Sequence, residues 1–260
     1  MLETLHYQSY GRSDSNAPCL VLIHGLFGSG DNLSMIRRHF EQDYRVISLD
    51  LPDHGQSPWS SAFSFEDYAQ QVILTLSSLG IEKANIVGHS LGGKVAMYVT
   101  YLKPELVQKL VVVDIAPVSY EPRHNNVLDG LTSVDLSKID SRKAAQASLE
   151  EFVEDAGTQA FLLKSLYQDA AQWKWRFNVD LIVREYLSMA HWPLEDVEIF
   201  SGDVLFIKGI KSNYITEKHQ SRILKQFPNA KAKMVDAGHW LHAEKPSIVN
   251  KLITEHLQDQ

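Results

Sequence analysis

The stretch Ala84-Asn-Ile-Val-Gly-His-Ser-Leu-Gly-Gly93 decides how this chain folds. Its first residues form a short apolar run that predicts a strand, and the run turns sharply into a helical pattern with Ser90 at the turn. A serine in so tight a turn leaves no room for a Cβ two residues before or after it, which explains Gly88 and Gly92. The same geometry points the helix N-terminus, with its unpaired N–H groups, toward the reacting oxygen. We therefore predict an accessible serine hydroxyl at the end of a buried strand.

The composition is typical of a soluble globular protein. Of the 260 residues, 44% are hydrophobic and 22% are charged. A chain of this length can form a sizeable core in one large domain. The formal charge is -7 and there is no basic run, so nucleic acid is not expected as a partner. The single cysteine, Cys19, lies in an apolar run, and we interpret it as a small buried hydrophobe. We find neither a signal peptide nor an apolar run near the ~20 residues of a membrane span, and we expect a cytoplasmic protein.

Short buried strands alternate with amphipathic helices along most of the chain. Cys19–Ile23 and Leu110–Val113 are apolar without alternation, so they predict strands that are buried on both faces. Further strands are predicted at Tyr44–Asp50, Ala84–Val87, Val204–Ile207 and Ala232–Asp236. Helical patterns lie between them, such as the one that begins after the candidate N-cap Ser64 and ends at Gly80. We therefore predict an α/β fold with a mostly parallel central sheet, helices on both faces and an edge strand at Leu5–Tyr10.

The alternation stops in the middle of the chain. Residues 118–200 contain no buried strand pattern but carry several helical patterns, among them Phe161–Tyr167. We predict that this segment is a helical cap over the carboxyl ends of the strands. The cap is then inserted into a core formed by residues 1–117 and 201–260.

A serine hydroxyl is a poor nucleophile unless a base removes its proton, and that base needs a third group to fix its tautomer. Ligands of open α/β sheets bind at the carboxyl edge, so both partners are expected in loops after later strands. His239 and His242 follow the last predicted strand, and His239 comes directly after the flexible Gly238. We predict His239 as the general base for Ser90. A metal site formed by the two histidines is disfavoured, because no third ligand of fitting spacing accompanies them.

The acid that orients His239 is harder to place. Its usual position is the loop after Val204–Ile207, but Ser212 stands there, and serine cannot hold an imidazolium by charge. The remaining carboxylates are those of Asp50, Asp114, Asp203 and Asp236.

Strand position separates these four aspartates. Asp203 lies at the amino end of its strand, which is the wrong edge of the sheet. Asp50 precedes the nucleophile in the chain, and the composition of its loop indicates a structural role. Asp236 falls within or at the end of its own strand. Asp114 ends the strand after the serine helix, at the carboxyl edge of the sheet. We favour Asp114 as the acid, with Ser212 as an auxiliary hydrogen-bond partner near the histidine, and we keep Asp236 as the alternative.

Two backbone N–H groups are candidates for the oxyanion hole that acyl transfer needs. One belongs to Leu91, directly after the serine. The other comes from the loop His24-Gly25-Leu26-Phe27-Gly28, in which the N–H of Leu26 or of Phe27 can turn inward.

Aromatic residues are candidates for a substrate pocket. Trp173, Trp175 and Phe177 alternate, so they share one face of an extended segment, which forms either the pocket or part of the core. Arg123 and His124 follow the loop of the predicted acid and can meet an anionic substrate group, although a solvated surface is the favoured interpretation. The candidate pocket residues are Phe27, Arg123, Trp175, Phe177 and Trp240.

Together, four motifs resemble those of the α/β-hydrolase superfamily, and they span almost the whole chain. They are His24-Gly25, Asp50-x-Pro52-x-His54-Gly55-x-Ser57, Gly88-His-Ser-Leu-Gly-Gly93 and Gly238-His239. Within that superfamily, Asp114-Ile-Ala-Pro117 and Trp175-Arg-Phe-Asn178 resemble the YbfF-type bacterial esterases. In that resemblance, and in the family's own count of strands, the acid follows the sixth strand, and serine replaces the aspartate after the seventh. This agrees with the assignment of Asp114.

The resemblance implies a serine hydrolase that cleaves short- to medium-chain acyl esters, with acyl-CoA thioesters as further substrates and without a metal or cofactor. The expected partner is the small-molecule substrate, and the expected oligomeric state is a monomer or homodimer. Ser90 excludes haloalkane dehalogenases and epoxide hydrolases, which need aspartate at this position. Carbon–carbon hydrolases, aminopeptidases and cofactor-free haloperoxidases keep the serine and stay as alternatives, as does a hydrolase fold that only binds a ligand.

Overall fold

A seven-stranded sheet lies at the centre of the protein in a computed structural model, which describes residues 2–14, 16–195, 197 and 199–259. The strands, in chain order, are β1 (Tyr7–Gly11), β2 (Cys19–Ile23), β3 (Arg45–Leu49), β4 (Ala84–His89), β5 (Val107–Val113), β6 (Leu166–Asp169), β7 (Gln172–Trp175), β8 (Asp203–Gly209) and β9 (Ala230–Val235). The central sheet has the order β1-β3-β2-β4-β5-β8-β9, in which β1 is antiparallel to β3 and the other neighbours are parallel. The predicted α/β fold with a mostly parallel sheet is confirmed.

Helices cover both faces of this sheet, and the buried strands alternate between the two layers. The helices are α1 (Ser34–Phe40), α2 (Phe65–Ser78), α3 (Leu91–Leu102), α4 (Asn125–Ser133), α5 (Arg142–Glu150), α6 (Ala156–Leu163), α7 (Val179–Ala190), α8 (Gln220–Gln226), α9 (Leu241–Glu244) and α10 (Pro246–Gln258). Leu20 and Leu22 of β2 belong to the apolar cluster that includes α1 and α10, whereas Val21 and Ile23 belong to the cluster of α2 and α3. Successive side chains of a strand point to opposite faces, so β2 needs an apolar residue at every position.

Two local predictions agree with the structure. The Ser64 hydroxyl caps α2 by accepting a hydrogen bond from the Asp67 N–H at 2.9 Å, and Gly80 after the helix has a φ of 69°. Cys19 is buried, and burial raises the pKa of its thiol to about 11, as expected of a small hydrophobe. None of the helices formed by the described residues is both long and apolar enough to span a membrane.

The chain leaves the central sheet after β5 and returns to it at β8, which is the next strand in space. The segment 118–200 that we predict as a cap lies in this connection, and its described part contains α4 to α7 and the β6–β7 hairpin. The predicted helix at Phe161–Tyr167 is wrong, because α6 ends at Leu163 and Leu166–Asp169 forms a strand. The hairpin turns at Ala170 and Ala171, whose φ angles are 45° and 67°. Such two-residue turns favour Asn-Gly, so the sequence lacks the usual hairpin signal.

Two sequence motifs that lie far apart in the chain meet where the predicted cap contacts the core. The Asn178 N–H donates to the carbonyl oxygen of Asp53 at 2.9 Å, and its side-chain amide donates to the Asp53 carboxylate at 2.9 Å. Next to this pair, His54 and Phe177 form an isolated antiparallel bridge. The Asp-x-Pro-x-His-Gly loop therefore anchors the strand that enters α7.

Candidate active site

The turn between β4 and α3 carries Ser90 in a strained conformation. Its φ is 53° and its ψ is -120°, a backbone conformation that residues other than glycine rarely adopt. A Cβ on Gly88 would lie 2.4 Å from the Gly92 carbonyl oxygen, and a Cβ on Gly92 would lie 2.3 Å from that of His24. Both distances are far below a van der Waals contact, so backbone packing requires both glycines.

The structure brings Ser90, His239 and Asp114 together in one hydrogen-bonded chain. The Asp114 Oδ2 lies 2.8 Å from the His239 Nδ1, and the His239 Nε2 lies 3.0 Å from the Ser90 Oγ. Because a carboxylate only accepts, Nδ1 carries the proton and Nε2 is left to accept from the serine hydroxyl. Each residue directly follows a central strand or the short loop after one, so the carboxyl edge of the sheet assembles the chain.

The Asp114 carboxylate is fully buried and is oriented by donors from three directions. The Gly209 N–H donates to Oδ1 at 2.9 Å, while the Ser212 hydroxyl and the His239 Nδ1–H donate to Oδ2. A buried carboxylate is tolerated when its oxygens are hydrogen-bonded in this way. Ser212, at the position where an acid is usual, therefore lies against the relocated acid and helps to fix its orientation.

The other three aspartates make their contacts elsewhere. Asp236 is exposed and pairs with Lys211 at 3.0 Å. Asp203 is at the amino end of β8, where it faces Lys109. Asp50 accepts hydrogen bonds from the backbone N–H groups of residues 30 and 56 at 2.8 and 2.9 Å, so it organises its own loop.

Two further side chains, neither of which sequence reasoning identified, hold His239. The Tyr214 ring stacks on its imidazole with 4.1 Å between ring centroids and 26° between ring planes. The His89 Nε2–H donates to the His239 carbonyl oxygen at 2.9 Å. Burial lowers the pKa of His89 well below its usual value and that of His242 to about 4, so both rings stay neutral beside His239. His89 is a variable position in its motif, and Tyr214 lies in an irregular loop, so neither carried a signal.

The candidate oxyanion hole lies between the start of α3 and the loop after β2. Here the sequence left Leu26 and Phe27 as alternatives, and the structure distinguishes them. His54 donates through Nδ1 to the Pro52 carbonyl at 2.8 Å, so its Nε2 accepts, and it accepts from the Phe27 N–H at 3.2 Å. The Phe27 N–H is therefore engaged, which favours the N–H of Leu26 as the partner of the Leu91 N–H.

A cavity of about 620 Å³ opens over the Ser90 hydroxyl, and Phe27, Arg123 and Trp240 lie on its wall. Trp175 and Phe177 do not, so their prediction as pocket residues is wrong. They stack on each other with centroids 5.5 Å apart, and Phe177 packs behind Phe27 at 5.3 Å. The extended segment turns its aromatic face toward the core, because the β6–β7 hairpin and the bridge to His54 fix its orientation.

The Arg123 side chain is exposed at the rim of this cavity. Its guanidinium lies over the rings of Tyr120 and Tyr214, at 5.1 and 4.9 Å from their centroids. A solvated surface is the interpretation that the sequence favours for Arg123 and His124, and the Arg123 side chain is both solvated and part of the cavity wall. His124 is only partly exposed, because it lies on the same wall with its Nδ1 2.7 Å from the Tyr186 hydroxyl.

Lys94 lies one turn after the serine, and the sequence motifs do not include it. Its side chain is only 2% exposed, and Nζ donates to the Ala190 and His191 carbonyl oxygens at 2.8 and 3.1 Å, at the end of α7. The surrounding rings include those of Tyr120 and Trp192. Burial lowers the pKa of Lys94 to about 7. A charged residue inside the otherwise apolar helix α3 was the available signal.

Comparison with known proteins places this geometry in a family. A family described as the alpha/beta hydrolase fold matches residues 18–246. A Haemophilus influenzae protein named as an esterase/lipase is 40% identical over 97% of this chain and 88% of its own length. Esterase YbfF of Escherichia coli is 37% identical over 97% of both chains. A solved structure named as a marine microorganism esterase has a TM-score of 0.93 and 33% identity, over 97% of this chain and 99% of that chain. The chain belongs to the α/β-hydrolase family and is similar to the YbfF-type esterases.

Proposed function

We propose that the protein hydrolyses carboxylic esters through a serine acyl-enzyme, with Ser90 as nucleophile, His239 as general base and Asp114 as the orienting acid. The observation that carries this proposal is the continuous hydrogen-bonded chain from Asp114 to the Ser90 hydroxyl, which ends at a strained turn facing a large cavity. The names of the similar proteins, which refer to esterases, support the same class of reaction.

In the first step, the Ser90 Oγ attacks the carbonyl carbon of the ester while its proton passes to the His239 Nε2. The negative charge that develops on the carbonyl oxygen is bound by the N–H groups of Leu91 and Leu26. Asp114 keeps the imidazole in the tautomer that can accept the proton and stabilises the imidazolium that forms. Its three donors hold the carboxylate in place during this step.

In the second step, the carbon–oxygen bond to the alcohol breaks, and His239 returns its proton to the leaving oxygen. A water molecule then attacks the acyl carbon while His239 takes one of its protons. The bond from that carbon to the Ser90 Oγ breaks, His239 returns the proton to Oγ, and the carboxylic acid leaves. Every proton passes through the His239 Nε2, so the chemistry needs no group beyond those of the chain and water. A thioester would react by the same route, with a thiol as the leaving group.

The test is the variant Ser90→Ala, measured against p-nitrophenyl esters and acyl-CoAs. We expect kcat to fall by about 10⁴-fold or more, because removal of the nucleophile leaves only the oxyanion donors and substrate binding. Ser77→Ala is the matched control, since Ser77 is exposed on α2 and lies on the wall of neither the cavity over Ser90 nor the smaller one beside it.

Labelling with a fluorophosphonate provides the second readout. The natural protein and Ser77→Ala are expected to be labelled, and Ser90→Ala is expected to stay unlabelled with an unchanged melting temperature. Full esterase activity in Ser90→Ala would contradict the proposal. An unlabelled natural protein with an intact fold would instead favour a hydrolase fold that only binds its ligand.

A further inference from the structure

A second, much smaller cavity shares Ser90 with the large one. Its volume is about 50 Å³, against about 620 Å³ for the large cavity. The two cavities differ in which parts of the catalytic site they contain. The large cavity has His239 on its wall, and the small cavity has Leu91, whose N–H is a candidate oxyanion donor, but not His239.

This difference assigns a direction to the substrate, given the proposed function on which it rests. His239 must reach the oxygen of the leaving alcohol, because it returns the proton there. The alcohol therefore lies on the His239 side, in the large cavity. The acyl chain is bonded to the same carbon and points away from the histidine, so it enters the small cavity.

The wall of the small cavity is held by hydrogen bonds. Met189 and Ala190, at the end of α7, form part of this wall. The Ala190 carbonyl accepts from the Lys94 Nζ at 2.8 Å and from the Tyr120 N–H at 3.1 Å. On the same helix, the Tyr186 hydroxyl accepts from the Arg123 N–H at 3.1 Å. Because α7 is held at several points, enlarging this cavity for a longer chain would break contacts with buried groups.

The wall of the large cavity is apolar and more exposed. Phe161 of α6 and Trp240 lie on it, with 5.5 Å between their ring centroids, and both side chains are partly exposed. Leu162 and Val127 add apolar surface from α6 and α4. An alcohol of considerable size fits here, with an apolar body against these side chains.

We propose that the enzyme is selective for esters of a short acid, acetyl to butyryl, with a large and partly apolar alcohol, and that Met189 sets the limit on acyl length. Measured in the same way, the space that holds one water molecule is about 10–15 Å³, so a cavity of about 50 Å³ holds a group of only a few heavy atoms. A longer acyl chain has to displace the end of α7.

The first experiment is a series of p-nitrophenyl esters from acetate to octanoate, assayed with the natural protein. The leaving group is constant, so the series varies only the acyl chain. We expect kcat/KM to be about tenfold or more lower for the octanoate than for the best of the acetate, propionate and butyrate esters, since overpacking of a fixed wall is costly. A second series of acetates of aliphatic alcohols from ethyl to octyl, which are similar leaving groups, is expected to favour the larger alcohols.

Two variants test the assignment of each cavity. Met189→Ala removes a buried side chain from the small cavity, and we expect the octanoate-to-acetate ratio of kcat/KM to rise about tenfold. Phe161→Ala is the matched change in the large cavity, and it is expected to alter the ranking of alcohols while leaving the acyl ranking unchanged. If Met189→Ala is too unstable to assay, Ala190→Val narrows the same cavity and is expected to reduce butyrate turnover more than acetate turnover.

A preference for octanoate in the natural protein, or a shift of the acyl ranking by Phe161→Ala and not by Met189→Ala, would overturn the assignment. These outcomes are distinct from a failure of the proposed function. If the proposed serine mechanism is wrong, Ser90→Ala will still hydrolyse all of the esters, whatever their chain length.

Discussion

Replacing Asp114 by asparagine tests the catalytic assignment most sharply, because the change keeps the size of the side chain. In the natural protein Oδ1 accepts from the Gly209 N–H, and Oδ2 accepts from Ser212 and from the His239 Nδ1–H. An asparagine has only one acceptor oxygen. If its NH₂ faces His239, the imidazole must accept at Nδ1 and carry its proton on Nε2. If its NH₂ faces Gly209, two donors meet in a buried space.

Either arrangement has a calculable cost. In the first, the His239 Nε2 can no longer take the Ser90 proton, and changes of this kind reduce kcat by about 10⁴-fold, or on the order of 5 kcal/mol of barrier. In the second, a buried N–H loses its partner, which costs about 1–3 kcal/mol of stability. We therefore expect a folded Asp114→Asn protein with kcat for p-nitrophenyl acetate reduced by about three to four orders of magnitude.

The matched control is Asp236→Asn, in which an exposed carboxylate loses only its surface pair with Lys211. Such pairs contribute little, so the activity and the melting temperature of this variant are expected to stay close to those of the natural protein. Both variants are assayed for kcat, KM and thermal unfolding. A larger loss of kcat in Asp236→Asn than in Asp114→Asn would refute the assignment of the acid.

Two further predictions concern stability. Gly92→Ala is expected to unfold the protein or lower its stability by more than about 3 kcal/mol, because the new Cβ would meet backbone oxygens at 2.3 Å. Gly80→Ala is the comparison: the space around it is open and only its φ of 69° opposes a side chain, so it is expected to cost about 1–2 kcal/mol. Similar melting temperatures for both variants would contradict this reasoning. Lys94 has a pKa lowered from 10.5 to about 7 in the folded protein, so the unfolded chain binds more protons between these values and stability should rise with pH there. Urea unfolding at pH 7 and pH 9.5 measures this rise, which Lys94→Met should reduce; an equal rise in both proteins would count against the buried amine as its source.

Much of the fold follows from local sequence patterns. Continuous apolar runs such as Cys19–Ile23 predict strands buried on both faces, and the structure has them in a parallel sheet between two helical layers. The glycines at 88 and 92 predict a sharp turn because their backbone neighbours leave no room for a side chain. Such features depend on residues close in the chain, so one sequence is sufficient to predict them.

The order of the strands along the chain also predicts which residues meet at the site. Parallel strands present their carboxyl ends at one edge, so residues that follow different strands are brought together whatever their distance in the chain. On that basis the sequence predicted Ser90, Asp114 and His239 as partners, and the structure places their side chains within hydrogen-bond distance. Their catalytic roles stay predictions until the variants above are measured.

Only the tertiary structure decided which residues surround that chain of hydrogen bonds. Trp175 and Phe177 face the core and not the cavity, because a hairpin with no Asn-Gly signal orients them. Lys94 holds the end of α7 through the carbonyls of residues 190 and 191, nearly a hundred residues away. Contacts of this kind depend on how distant segments pack, whereas the pattern of one strand or helix records only which of its faces is buried. The sequence by itself determined the sheet, its serine turn and the edge where the partners meet, and packing decided the shape of the cavities on either side of Ser90.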